Sequence, residues 1–249
     1  MRHRCRRLGA FVVAAAAACL VARTAVAATV AFTIDPAAST FTVGGTFNGA
    51  PLVAQAPGTA VVGFTGTLNV DVNHANGTLS FERATVAALD QPVDQQPTHP
   101  SHAGANYGLA TAGGQTLFAI RGLDLNLVAT GAPFNAGPPS AAQHGFFVNG
   151  GSLYYGPSSP ATGFADLHGT GGGPAAVVGP ITLTQQGDLE TLTIPIQSLL
   201  TPGSNAPDVV ELTFAGQLVA TRPVPEPAAC AALGAAALAP CAWRRPRRR

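Results

Sequence analysis

The stretch Val61-Val-Gly-Phe-Thr-Gly-Thr-Leu-Asn-Val-Asp-Val72 decides the fold. Val62, Phe64, Gly66, Leu68, Val70 and Val72 take every second position, and Gly63, Thr65, Thr67, Asn69 and Asp71 fill the places between. Successive side chains of a strand point to opposite faces, so this period of two predicts a strand with one buried and one solvated face. Asn76-Gly77 follows, and because both residues tolerate positive φ a tight hairpin turn is expected there, with Leu79 and Phe81 opening the return strand. The apolar phase then slips near Arg83, where Ala84 and Val86 take over, and a bulge is expected at that point.

Working outward, Val30, Phe32 and Ile34 alternate up to Asp35-Pro36, a turn signal, and Phe41, Val43 and Phe47 mark a second strand. These two are expected to form a hairpin. Asp90 to Thr116 holds prolines, two histidines and no sustained period, which predicts a long loop of the kind that often carries function. Leu117 to Thr130 resumes strand character, with Phe118 and Ile120 on one phase and Leu123, Leu125 and Leu127 on the other; Gly122 is expected to permit the switch. Phe146–Val148, Asn149-Gly150-Gly151 and Leu153–Tyr155 read as another hairpin. Ile181 and Leu183 are expected to pair with Leu192, Ile194 and Ile196 across Gln185-Gln186-Gly187-Asp188, and Val210, Leu212, Phe214, Gly216 and Leu218 form the last strand. About ten strands, no βαβ pattern and no internal repeat predict an all-β chain with a single antiparallel β-sandwich or barrel-like domain.

That domain, residues 28–222, lies between two targeting segments. Met1 to Arg7 carries four arginines, Leu8 to Ala22 is apolar, and Ala25-Val26-Ala27 offers small residues where a signal peptidase reads. The pattern predicts an N-terminal signal helix and a signal peptide over residues 1–27. Cys5, Cys19, Cys230 and Cys241 all fall in the two targeting segments, so the domain between them must rest on an apolar core rather than on disulfides. Between Ala28 and Val224 three arginines face eleven Asp and Glu, leaving a net charge of −8. Such a surface repels phosphate backbones, and nucleic acid is not an expected partner. Lysine is absent from the whole chain, which excludes Schiff-base chemistry on its side chains.

Residues 223–249 form the second segment. Pro225-Glu226-Pro227 precedes an uncharged run from Ala228 to Trp243, and Arg244-Arg-Pro-Arg-Arg-Arg249 follows. As a helix, residues 228–243 would measure about 24 Å, a short membrane span whose arginines would stay cytoplasmic. Prolines on both sides of Glu226 favour an extended, exposed segment that a processing enzyme can grip. The order Pro-Glu-Pro, apolar run, arginine cluster resembles the PEP-CTERM sorting signal of exported bacterial proteins. That resemblance implies that an exosortase recognises Pro225, Glu226 and Pro227, that the protein passes through the membrane to the cell envelope, cell surface or extracellular matrix, and that exopolysaccharide is a natural neighbour. Phe32-Thr-Ile-Asp-Pro-Ala-Ala-Ser-Thr-Phe41 is also similar to the opening of YceI-like periplasmic proteins, which implies a barrel holding an isoprenoid lipid.

Candidate chemistry is sparse. His99 and His102 sit three apart in the long loop, and with His144, Asp166 and His168 they could converge on zinc or copper. Asp188 and Glu190 could ligate calcium, although no Asp-x-Asp-x-Asp-Gly loop is present. Ser101 beside His102 is adjacency without a nucleophile elbow. Tyr107, Tyr154 and Tyr155 are the aromatic residues open to sugar stacking. The expectation is an exported protein with a structural or adhesive role, without catalysis or cofactor; the alternatives are a binding module, either a lipid-holding barrel or a carbohydrate binder using the Tyr154-Tyr155 hairpin, and a hydrolase or metal-dependent enzyme built on the 90–116 loop.

Overall fold

The computed structural model describes residues 28–93, 104–137, 144–157, 161–170, 179–202 and 208–224. They form one antiparallel sheet and contain no helix. In chain order the strands are β1 (Ala28–Ile34), β2 (Thr40–Phe47), β3 (Ala50–Ala54), β4 (Val61–Asn73), β5 (Thr78–Ala88), β6 (Tyr107–Thr111), β7 (Leu117–Pro133), β8 (His144–Gly156), β9 (Gly163–Asp166), β10 (Thr182–Gln186), β11 (Leu189–Leu200) and β12 (Val210–Pro223). Twelve strands therefore replace the expected ten or so. The additions β3, β6 and β9 are short and rich in Ala and Gly, so their sequences carry little alternation. β6 lies inside the span expected to be an irregular loop.

Lateral order comes from broken lines of strand rather than from simple hairpins. β1 and β2 pair with the same two neighbours and run the same way: Thr33 faces Thr67 and Thr221, while Thr40 faces Gly63 and Gln217. The expected β1–β2 hairpin is thus wrong. Asp35 to Ser39 is an excursion from one continuing line, closed by the Asp35 carboxylate accepting from Ala37 N–H at 2.9 Å. Buried Ser39 fills the resulting gap, since its hydroxyl donates to the Val219 carbonyl and accepts from Val219 N–H at 2.9 and 2.8 Å. β3 and β4 form a second broken line, both antiparallel to β2, and β5 and β6 a third, both antiparallel to β7.

Other details follow the sequence. Pairs Asn69–Arg83 and Val70–Phe81 leave Glu82 as an extra residue, which is the bulge expected near Arg83. On β7, Gly122 at φ 59° and Leu123 stand against Gly151 alone on β8, so the phase switch is a second bulge. Asn149-Gly150-Gly151 consequently lies within β8, and the hairpin expected there does not exist. Asn73 pairs with Thr78, so the β4–β5 turn spans residues 74–77, with Gly77 at φ 65° and Asn76 N–H donating to Asn73 Oδ1 at 3.1 Å. The β10–β11 hairpin forms as expected, Leu183 facing Leu192.

One face of the sheet is buried and the sheet curls over it. Phe47 on β2 touches Phe118 on β7 and Tyr155 on β8 at ring separations of 5.1 and 5.4 Å, although these strands are far apart in lateral order. Phe41 meets Phe64 edge-on at 5.0 Å, and Tyr107 meets Phe214 at 5.9 Å. Rings from opposite parts of the sheet thus share one core. Asn135, at φ 58°, draws the end of β7 to the free side of β10: its N–H donates to the Ile181 carbonyl at 2.8 Å, and its side chain both donates to and accepts from the Leu183 backbone at 3.0 Å. The outward face is threonine-rich. Thr184, Thr191, Thr221, Thr33, Thr67 and Thr85 stand opposite one another in an unbroken row across six strands.

Candidate functional site

The residues singled out from sequence are mostly not brought together. Pro225, Glu226 and Pro227, the signal segment 1–27, and His99, Ser101 and His102 lie outside the described residues, as does the His144 side chain. His168 and Asp166 are exposed, and Asp166 Oδ1 accepts from the His168 N–H at 2.9 Å, so this carboxylate shapes its own turn. Among the described residues no group of three or more His, Cys, Asp or Glu could hold a metal ion. Asp188 is exposed in the β10–β11 turn while Glu190 points inward, so the two do not converge as calcium ligands.

Glu190 has a structural partner instead. Glu190 and Arg222 face each other across β11 and β12, and the Arg222 Nε–H donates to Glu190 Oε2 with both side chains largely buried. Arg222 also lies over the Phe32 ring at 5.2 Å, and His74 Nε2 stands 3.7 Å from Glu190 Oε1. A bidentate-capable cation on a buried carboxylate closes one end of the core. The Glu190–Arg222 pair is not legible in the sequence, because it depends on the β11–β12 register.

At the broken lines a second polar cluster takes over the work of missing ladder bonds. Asn106 is buried; its amide donates to the carbonyls of Ala88 and Leu89 and to Asp90 Oδ1 at 3.1 to 3.3 Å, and its oxygen accepts from Leu123 N–H at 2.8 Å. The Gln91 amide donates to the carbonyls of Thr59 and Asn106, and the Thr59 hydroxyl donates to the Gly108 carbonyl at 2.7 Å. These side chains satisfy backbone groups that the interruptions of β3–β4 and β5–β6 would strand without partners.

Two tyrosines expected to act together do opposite things. Tyr155 points into the core, stacked on Phe118 at 5.8 Å, and its hydroxyl donates to Asp208 Oδ2 at 3.1 Å. Burial first, and then the bond to the Asp208 carboxylate, push its hydroxyl up from the ordinary phenol value. Tyr154, one residue earlier, points outward, so the pair cannot form a shared platform. Its ring instead meets Phe164 of β9 at 5.3 Å and 57°, and Phe164 is 45% exposed. Ala119, Tyr154 and Phe164 form one cross-strand row over β7, β8 and β9, and Arg121, Ser152 and Asp166 form the next. Burial lowers the Arg121 guanidinium from its usual value, while the neighbouring Tyr154 and Asp90 oppose the shift. Ala105 and Val93 cover Ala119 and wall this face on one side. Phe164 escaped sequence reading because it sits in a short Gly- and Pro-rich interval. The arrangement presents an aromatic pair beside hydroxyl, cation and carboxylate. No family model, curated protein or solved structure matches this chain.

Proposed function

We propose that the protein is an exported β domain of the cell envelope or extracellular matrix, with a structural or adhesive role and no catalysis. On this reading a signal helix over residues 1–27 is removed by signal peptidase, and an exosortase handles the tail, in which a membrane helix over 228–243 follows Pro225, Glu226 and Pro227. The order of that tail carries the reading. A fact of the fold is compatible with it: Pro223 is the last residue of β12, paired with Leu189, and Val224 N–H donates to the Asp188 carbonyl at 2.6 Å. In sequence the motif follows directly on Val224, the last of the described residues. Intact mass of the protein from the envelope and medium of its own host tests this. A chain running from near Ala28 to near Pro227 is expected; mature protein ending at Arg249 would overturn the sorting role.

A binding role is the second reading, favoured by the outward Tyr154–Phe164 pair. Its lipid-holding version meets an interior occupied by Phe32, Phe41, Phe64, Tyr107, Phe118 and Phe214, all fully buried. Rings that fill the core against one another leave the sheet's outer face as the better place for a ligand.

A further inference from the structure

We propose that the outer face of β7, β8 and β9 binds a neutral polysaccharide strand, with sugar rings lying on Tyr154 and Phe164 and their hydroxyls meeting Arg121, Ser152 and Asp166. The proposal names the ligand class for the adhesive reading above, and it stands or falls independently of how the tail is processed.

A pyranose has two kinds of surface: faces of C–H groups that favour aromatic rings, and an equatorial rim of hydroxyls that need donors and acceptors. The two cross-strand rows supply both. Neighbours within a row stand about 5 Å apart, and successive rows on one face lie about 7 Å apart along the strand. Tyr154 and Phe164 offer the apolar row, which the buried Ala119 ends on the β7 side; Arg121, Ser152 and Asp166 offer donors and acceptors one row away. Among the described residues Phe164 is the one aromatic side chain among the exposed large hydrophobics, so the ring has been left open where the fold buries others. The 57° tilt between the two rings suits a polymer whose successive sugars turn relative to each other.

Charge selects the occupant. Arg121 stands with Asp90 and Asp166, so the patch carries no net positive charge, and the surrounding domain carries −8; an anionic polymer gains nothing from the site and is repelled by its setting. Nucleic acid fails on the same ground. Among the described residues Val93 and Ala105 wall the β7 end of the row, and the row runs from there toward β9.

Affinity electrophoresis of the full chain recovered from host envelopes, in native gels containing hydroxyethylcellulose, xylan, mannan, dextran or, as the anionic comparison, alginate, tests the idea. Retardation is expected in at least one neutral glycan and not in alginate. Tyr154→Ala and Phe164→Ala should each weaken retardation about tenfold, the size of a lost stacking contact of about 1.4 kcal/mol, while Thr33→Ala on a distant part of the outer face leaves it unchanged. Tyr154→Phe, which keeps the ring, should retain binding, and Arg121→Gln should weaken it even if a truncated aromatic disturbs folding. No retardation in any neutral glycan, retardation in alginate alone, or binding indifferent to Tyr154, Phe164 and Arg121 would each overturn the proposal. A chain that binds yet still ends at Arg249 would sink the sorting role and leave this site standing.

Discussion

At the scale of single residues, the polar groups inside this protein replace backbone partners that the interrupted strands have lost. Asn106 serves three acceptors and one donor, so Asn106→Ala strands several buried groups at once, each costing about 1 to 3 kcal/mol. A loss of about 3 kcal/mol is expected, read as a fall in urea midpoint with unchanged slope; a loss under about 1 kcal/mol would mean that water takes over the bonds. Tyr107 and Tyr155 make the opposite demand. Burial raises both hydroxyls above the ordinary phenol value of 10.0. A raised folded-state value gives stability that is complete below the unfolded value and lost as pH climbs above it. The urea midpoint should therefore drop as pH climbs above about 10, with Tyr107→Phe showing a shallower drop at the modest cost, about 1 kcal/mol, of its bond to the Phe41 carbonyl. Neither Asn106 nor Tyr107 could be assigned these duties from sequence, since both lie where periodicity is broken and their partners are distant along the chain.

Among the elements, legibility follows alternation. β4, β5, β7, β11 and β12 carry long runs of period two and are readable, the bulges of β5 and β7 included, because the phase of apolar residues records each inserted residue. β3, β6 and β9 are not, since each has only four or five residues, two of them Ala or Gly, which leaves too few large apolar positions to define a face. Turn chemistry misled in two places for one reason. Asp35-Pro36 and Asn149-Gly150-Gly151 permit a reversal, yet here the same backbone freedom serves an excursion and a bulge within strands that continue. Glycines inside strands have a testable job of this kind. Gly66, at φ 133°, sits where a Cβ would strike the Thr85 carbonyl oxygen of β5. Gly66→Ala must distort either the φ or the ladder, and about 2 to 4 kcal/mol of destabilisation is expected. By contrast Gly77→Ala in the β4–β5 turn, at φ 65° with open space around it, should cost only about 1 kcal/mol. Equal losses at the two sites, measured by thermal unfolding, would refute the assignment of a steric role to Gly66.

For the whole molecule, the all-β class was legible from composition and period, whereas the path of the sheet was not: lateral order depends on which broken lines align, and no local signal encodes that. An open sheet must also manage its two edges, β10 and β9, against pairing with other chains. The β10 edge is occupied from within. Asn135 acts as a strand residue in miniature, donating its own N–H to Ile181 while its side-chain amide mimics a peptide group toward Leu183. Asparagine fits because it combines tolerance of positive φ with both a donor and an acceptor on a short side chain. Asn135→Ala keeps neither property, and Asn135→Gly keeps only the φ. Loss of the three bonds should therefore release the β10 edge without unfolding the rest, because β10 remains paired with β11 through Leu183 and Leu192. Amide exchange at Leu183 is expected to accelerate by about a hundredfold or more, the equivalent of about 3 kcal/mol in local opening, while Phe64 and Phe214 in the core stay protected. Concentration-dependent association should appear in the same variant, since the freed edge offers unpaired donors and acceptors to another chain. Uniform acceleration across all strands would instead show that the bridge from β7 to β10 supports the entire fold rather than guarding one side of it.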